Sequence, residues 1–205
     1  MSEAVKTVGM IMNMTMCCQI GVMGSANDVL SDADRQRLLE NCERLGRAIA
    51  AKGCALVTGA TTGLPDMVSR AARKHGGLTI GISPAGSATE HADHYHYPLD
   101  AAEVMIYTGF GLKGRNVINI RSSDIVIIVG GGMGSLNEFT IAYDEGKVIG
   151  VLEGSGGIAD HVREIVGFAK KAMTGCLIFA AEPERLIEEC LSAWRQRQAG
   201  EAYQD

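Results

Sequence analysis

Ile125-Val126-Ile127-Ile128-Val129-Gly130-Gly131-Gly132-Met133-Gly134-Ser135 joins five β-branched apolar residues to a loop with four glycines in five positions. An unbroken apolar run of that length predicts a strand buried on both faces, as in a parallel sheet covered by helices. The loop predicts a sharp turn into a helix that begins near Ser135. Glycines let backbone amides approach an anion, and the helix start adds unpaired N–H groups and the positive end of its dipole. Phosphate is the natural ligand, because a turn alone seldom requires so many glycines.

Outward from this stretch, short apolar runs alternate with helical patterns. Gln19–Met23, Ala55–Thr58, Leu78–Ile82, Val104–Tyr107, Val148–Leu152 and Leu177–Phe179 read as further strands. A helix is expected over Asp32–Lys52, with Ser31 and Asp34 as its N-terminal capping signal and Gly53 at its C-terminal end. Pro65 opens another helix, which Gly76 closes. Strand–helix alternation calls for right-handed crossovers and hence an α/β, Rossmann-like fold, with a mainly parallel sheet and helices on both faces. Residues 19–195 are expected to form one such nucleotide-binding domain, preceded by an extra segment at 1–18 and followed by a polar tail at 196–205. The Pro84–Pro98 stretch and the residues after Trp194 read as loosely structured, and the Met-rich start as either disordered or part of an interface.

The 205 residues suit one large domain, and 46% apolar with 21% charged residues is ordinary globular composition. Its 26 glycines are almost double the usual share of roughly 7%. A formal charge of −5 and the lack of any Lys/Arg block argue against binding to a nucleic-acid backbone, but not against one small phosphorylated ligand. The six cysteines include no C-x-x-C pair and no histidine at zinc spacing, so reduced structural thiols in a cytoplasmic protein are expected. No segment reads as membrane-spanning or as a cleaved leader.

In an open parallel sheet, ligands bind beyond the carboxyl ends of the strands. Three glycine-rich loops fall there: Gly24-Ser25-Ala26-Asn27, Gly59-Ala60-Thr61-Thr62-Gly63 and Gly130 to Ser135. From them Gly24, Ser25, Gly59, Thr62, Gly63, Gly131, Gly132, Met133, Gly134 and Ser135 are the expected phosphate and nucleotide contacts. A Walker A motif is excluded, since no Gly-Lys-Ser/Thr follows the loop. A dinucleotide reading of Gly130-x-Gly132 with Glu153 as the ribose-binding acid is weakened by Ser135 at the third position and by the motif's late place in the chain.

Glu138 lies in the first turn after the loop, where a carboxylate beside an anion is costly unless it meets a sugar hydroxyl or a developing cation. Lys113 and Arg115 begin the helix after Val104–Tyr107 and can reach the same rim, whereas Arg121 sits at its far end. Arg115 has the planar fork suited to phosphate or carboxylate. His91, Asp93, His94 and His96 could suggest a metal, but no further ligands stand at recognised spacing; a solvated lid loop is expected, with no metal and no cofactor.

Gly130-Gly131-Gly132-Met133-Gly134-Ser135-Leu136-Asn137-Glu138 resembles the Pro-Gly-Gly-x-Gly-Thr-x-x-Glu signature of the Lonely guy, or lysine decarboxylase-like, phosphoribohydrolases. Arg115 stands at the position of that family's catalytic arginine, Gly24-Ser25 and Gly59 to Gly63 match two earlier loops, and the resemblance covers Gln19 to Leu191. The three glycines and the Arg115-Asn116 pair are most similar to a branch that includes molybdenum-cofactor carrier-like proteins. Gly130 replaces the signature's proline, Ser135 its threonine, and Asn116 the lysine that usually follows the arginine. The resemblance implies hydrolysis of the N-glycosidic bond of a nucleoside 5′-monophosphate such as AMP, with Arg115 and Glu138 catalytic. Its alternative implication is a carrier that binds a nucleotide or pterin phosphate without turnover. Either way it implies a homodimer or higher homo-oligomer.

Overall fold

The computed structural model describes residues 18–26 and 32–201. Asn27, Ser31, the Met-rich start and the last four residues lie outside what is described, and so does the side chain of Asp34, the other half of the expected capping signal. Seven strands form one sheet: β1 (Gln19–Gly24), β2 (Ala55–Thr58), β3 (Thr79–Ser83), β4 (Val104–Tyr107), β5 (Ile125–Val129), β6 (Val148–Leu152) and β7 (Cys176–Ala180). Between and after them come α1 (Asp32–Ala51), α2 (Leu64–Lys74), α3 (Ala88–Asp93), α4 (Gly111–Arg121), α5 (Met133–Asp144), a 3-10 turn (Gly157–His161), α6 (Val162–Ala169) and α7 (Pro183–Glu201). The strand order is β4-β3-β2-β1-β5-β6-β7 and every pairing is parallel.

The alternation of side chains along β5 explains why both faces need helices. Ile125, Ile127 and Val129 pack into one buried layer with Leu45, Ile49, Val68, Leu186 and Ile187 from α1, α2 and α7. Val126 and Ile128 enter the opposite layer with Phe139, Tyr143 and Val162 from α5 and α6. Each large apolar side chain buried there contributes about 1.5–3 kcal/mol of transfer free energy. β4 is an edge strand, and its Val104 and Ile106 remain exposed.

Pro65 opens α2 as expected, behind an N-cap at Gly63. Two regions expected to be loose are ordered. α3 interrupts the Pro84–Pro98 stretch: Ser87 Oγ accepts from Glu90 N at 3.1 Å, and Glu90 Oε2 accepts from Gly86 N at 2.8 Å. Ser87 thus caps one open amide of the helix, and Glu90 reaches back one residue beyond the N-cap, a variant of the capping box. α7 runs past Trp194 to Glu201, held by Trp194 against the core and by Arg197 Nη1 donating to Gly146 O at 2.6 Å. Cys18, Cys42, Cys54 and Cys190 are buried and Cys176 is half-buried, all as thiols. Among the described residues, no helix is long and apolar enough to cross a membrane.

Candidate functional site

β1 and β5 are neighbours from which the chain proceeds in opposite directions along the sheet, so the loops after them diverge and leave a crevice. A cavity of about 420 Å³ opens there, a volume typical of small-ligand sites. All three glycine-rich loops reach it: Gly24 and Ser25, Gly59 and Thr61, and Gly132, Gly134 and Ser135 line its wall with Lys113, Arg115 and Glu138.

The four glycines of the third loop do different work. Gly130 and Gly131 have φ of 58° and 100°, which side chains rarely adopt. Their amides are already spent: Gly130 N donates to Ser155 Oγ at 2.8 Å and Gly131 N to Ser25 Oγ at 2.9 Å. Their carbonyls accept from Ala159 N and Ile158 N. The expected role of Gly131 as a phosphate donor is therefore corrected, since Ser25 occupies its N–H. Gly132 and Gly134, by contrast, face open space where an added Cβ would meet nothing within 4 Å. The amides of residues 132–135 have no acceptor among the described residues, and Leu136 N makes the first bond of the helix, to Gly132 O at 2.9 Å. The cradle of open amides is thus the start of α5, and the two preceding glycines are its mounting.

Thr62 and Gly63 join the loops rather than lining the cavity. Thr62 Oγ1 donates to Ala26 O at 3.3 Å, and a Cβ on Gly63 would overlap Ser25 O. Met133 does not line the cavity and is 76% exposed.

Arg115 and Glu138 face each other across α4 and α5. Arg115 Nη1 donates to Glu138 Oε1 at 3.3 Å, with both side chains less than a tenth exposed. The guanidinium lies on the backbone of Gly59, where a methyl group would overlap Nη1. Asn119, one helical turn after Arg115 and fully buried, donates from Nδ2 to Glu138 Oε1 at 3.3 Å and to Met23 Sδ at 3.1 Å. Turned so that its nitrogen faces Glu138, the Asn116 amide donates to Leu112 O at 2.9 Å and Glu138 Oε1 at 3.3 Å. Burial pushes the Glu138 carboxyl above its ordinary range, opposed by Arg115, Asn119 and Lys113. Burial also lowers the proton affinity of Arg115, yet a guanidinium starts so high that it stays charged. Arg115 Nε and Asn119 Oδ1 are buried without partners among the described residues.

Other expected features fall elsewhere. Glu153 pairs with Arg163 at 2.8 Å and does not line the cavity, so it holds no ribose-binding position. Arg121 pairs with Glu145 at the far end of α4. His91 is not a solvated lid residue: it is fully buried, with Nδ1 2.8 Å from Ser83 Oγ and Nε2 3.2 Å from Pro98 O. Among the described residues no cluster of His, Cys, Asp or Glu could hold a metal ion. Tyr97, Leu112, Pro65 and Met23 line the cavity without having been singled out as site residues; they come from distant segments that only the fold joins.

Fold and site together define a Rossmann-like α/β protein with an open crevice at the switch point of its sheet. More narrowly, the chain belongs to the SLOG cluster4 family, whose profile its residues 17–187 match. It is 36% identical to a cytokinin riboside 5′-monophosphate phosphoribohydrolase of Mycobacterium marinum over 111 residues, which span 53% of this chain and 56% of that one. Among solved structures it is similar to the molybdenum cofactor binding protein of Rippkaea orientalis, with 32% identity, a TM-score of 0.69, and coverage of 87% of this chain and 98% of that one. The molybdenum cofactor carrier protein of Chlamydomonas reinhardtii superposes with a TM-score of 0.67 at 26% identity, covering 86% of this chain and 98% of the carrier.

Proposed function

We propose that the protein hydrolyses the N-glycosidic bond of a nucleoside 5′-monophosphate, giving free base and ribose 5-phosphate. The observation that carries this reading is the buried Arg115–Glu138 pair on the same cavity wall as the unpartnered amides of residues 132–135. The amides bind the phosphate and fix the ribose. As the bond from C1′ to the base nitrogen breaks, the electron pair leaves with the base and positive charge develops on the sugar, where the Glu138 carboxylate stabilises it. A carboxylate with raised proton affinity is also suited to accept the proton of the water that adds at C1′. Arg115 orients the phosphate and the leaving group, and its charge opposes the effect of burial on Glu138.

Purified protein incubated with AMP and related monophosphates is expected to release base, detected by chromatography, with at least a hundredfold loss in Glu138→Gln. No release from any nucleotide would sink the reading.

A second reading is favoured by Asn116, which sets a neutral amide where the resembling enzymes carry a lysine, and by the near-complete coverage of the cofactor-binding neighbours. In it the same cradle retains a nucleotide or pterin phosphate without turnover. Native mass spectrometry separates the two: an intact ligand retained for hours supports carriage, and conversion to ribose 5-phosphate supports hydrolysis. A homo-oligomer fits both readings, since Val104, Ile106 and Phe110 on and after the edge strand stand exposed; a monomer by light scattering would exclude it.

A further inference from the structure

The cavity wall carries more than one chemistry. Part of it is the amide cradle that follows β5. Tyr97 lines the same cavity from the connection between β3 and β4, and β3 lies three strands away from β5 in the sheet. Leu112, at the start of α4, adds an exposed apolar side chain to the wall. Neither side chain offers a phosphate a cation.

Tyr97 is held by a cluster that the proposed chemistry does not use. Its backbone N donates to His91 O at 3.2 Å, and the turn between Tyr95 and Tyr97 is made by His96 at φ 57°. The His91 imidazole, bracketed by Ser83 Oγ and Pro98 O, meets the Tyr97 ring edge-on at 5.6 Å between centroids. Tyr95 lies almost parallel to Tyr97, at 5.8 Å and 20°. Five residues with no evident catalytic part, His91, Ser83, Pro98, His96 and Tyr95, thus fix one half-buried aromatic ring at the cavity wall. An amphipathic ring with few rotatable bonds, held in advance, loses little entropy when a flat ligand packs on it.

We infer that Tyr97 recognises the planar heterocycle of the ligand by stacking, and so makes the site select a base-bearing phosphate over a bare sugar phosphate. The inference rests on the reading of this cavity as a nucleotide-phosphate site. His91 is the positioning residue that sets the ring, which gives the histidine-rich loop a part in recognition without a metal.

The test compares two probes. Formycin 5′-monophosphate carries a purine-like base joined to ribose through carbon, so it cannot be hydrolysed at that bond; ribose 5-phosphate carries no base. Calorimetric titration of wild type, Tyr97→Phe and Tyr97→Ala with each is the experiment. Stacking on one ring predicts that Tyr97→Ala weakens formycin monophosphate binding about 10-fold or more, leaves ribose 5-phosphate binding within about twofold, and that Tyr97→Phe keeps wild-type affinity for both. Equal losses for both probes would mean that Tyr97 only shapes the loop, and would overturn the inference. Loss in Tyr97→Phe as large as in Tyr97→Ala would assign the effect to the hydroxyl and overturn stacking. Wild-type protein that binds neither probe would overturn the nucleotide-phosphate reading and this inference with it, whereas binding of both with no effect of Tyr97→Ala would overturn this inference alone.

Discussion

Glu138 sits where a carboxylate is expensive to keep charged, and three donors around Oε1 offset that cost: Arg115 and Asn119 as they stand, and Asn116 in its turned orientation. The balance gives a sign that can be measured. Burial raises its pKa above the ordinary 4.5, so in the window above 4.5 the native state binds more protons than the unfolded chain. The stability this group contributes is therefore present below that pH and lost as pH rises through the folded value. Glu138→Gln does not titrate, so wild type is expected to lose Tm relative to this variant as pH rises from 4.5 toward neutrality, by calorimetry at a series of pH values. A difference that stays constant, or slopes the other way, would contradict the raised pKa. Gly134 tests the cradle separately. It lies in the first turn of α5 with nothing to clash with, and alanine is the better helix former by about 0.5–1 kcal/mol. Gly134→Ala should keep or slightly raise Tm while abolishing the shift produced by ribose 5-phosphate; a ligand-free tight turn would show no such split. The glycine loop and Glu138 stood out in the sequence by residue type and place, whereas Arg115 was singled out by the resemblance, and the fold brings all three to one cavity. Asn119 and Tyr97 were not legible, since a lone amide on a helix and a tyrosine in a loop declare nothing until the fold brings them to one wall.

At the scale of elements, the strands were the most legible parts because β-branched runs bounded by glycine leave few other solutions, and β5 and β6 match their expected limits residue for residue. The helices were read less completely. The Ser87-x-x-Glu90 signal of α3 was present but hidden among polar residues that looked like a loop, and the polar surface of α7 beyond Trp194 masked a helix that packing sustains. What no pattern could show is how loops fasten to one another. Ser25, just after β1, accepts the Gly131 amide from 106 positions away, and so ties the loop after β1 to the loop that leads into α5. Ser25→Ala leaves that part-buried N–H without its partner, a loss of about 1–3 kcal/mol. A fall in Tm of several degrees is expected together with weaker ribose 5-phosphate binding, read by thermal scans and titration. If Tm falls while affinity holds, the bond is structural alone and the cradle does not depend on it.

At the scale of the molecule, strand–helix alternation determines the fold class, and the reversal of strand order between β1 and β5 determines where a ligand can enter. The three contributing loops follow β1, β2 and β5, so a phosphate held as proposed would tie together segments on both sides of the sheet's midline. The unfolded chain has no such convergence, and a ligand that binds only the native state stabilises it by about 2.7 kcal/mol at a hundred times its Kd. For a chain of this size that corresponds to a rise in Tm of roughly 5–11 °C. The rise should follow the phosphate: AMP and ribose 5-phosphate at saturating concentration should both produce it, and adenosine, which keeps the base and the sugar but lacks the anion, should produce much less. Equal stabilisation by adenosine would move recognition away from the start of α5 and onto the base alone. Stabilisation by AMP and ribose 5-phosphate that disappears in Gly134→Ala would instead locate the coupling at the amides of residues 132–135, because that substitution adds one methyl group to the open side of the loop and leaves the folded core untouched.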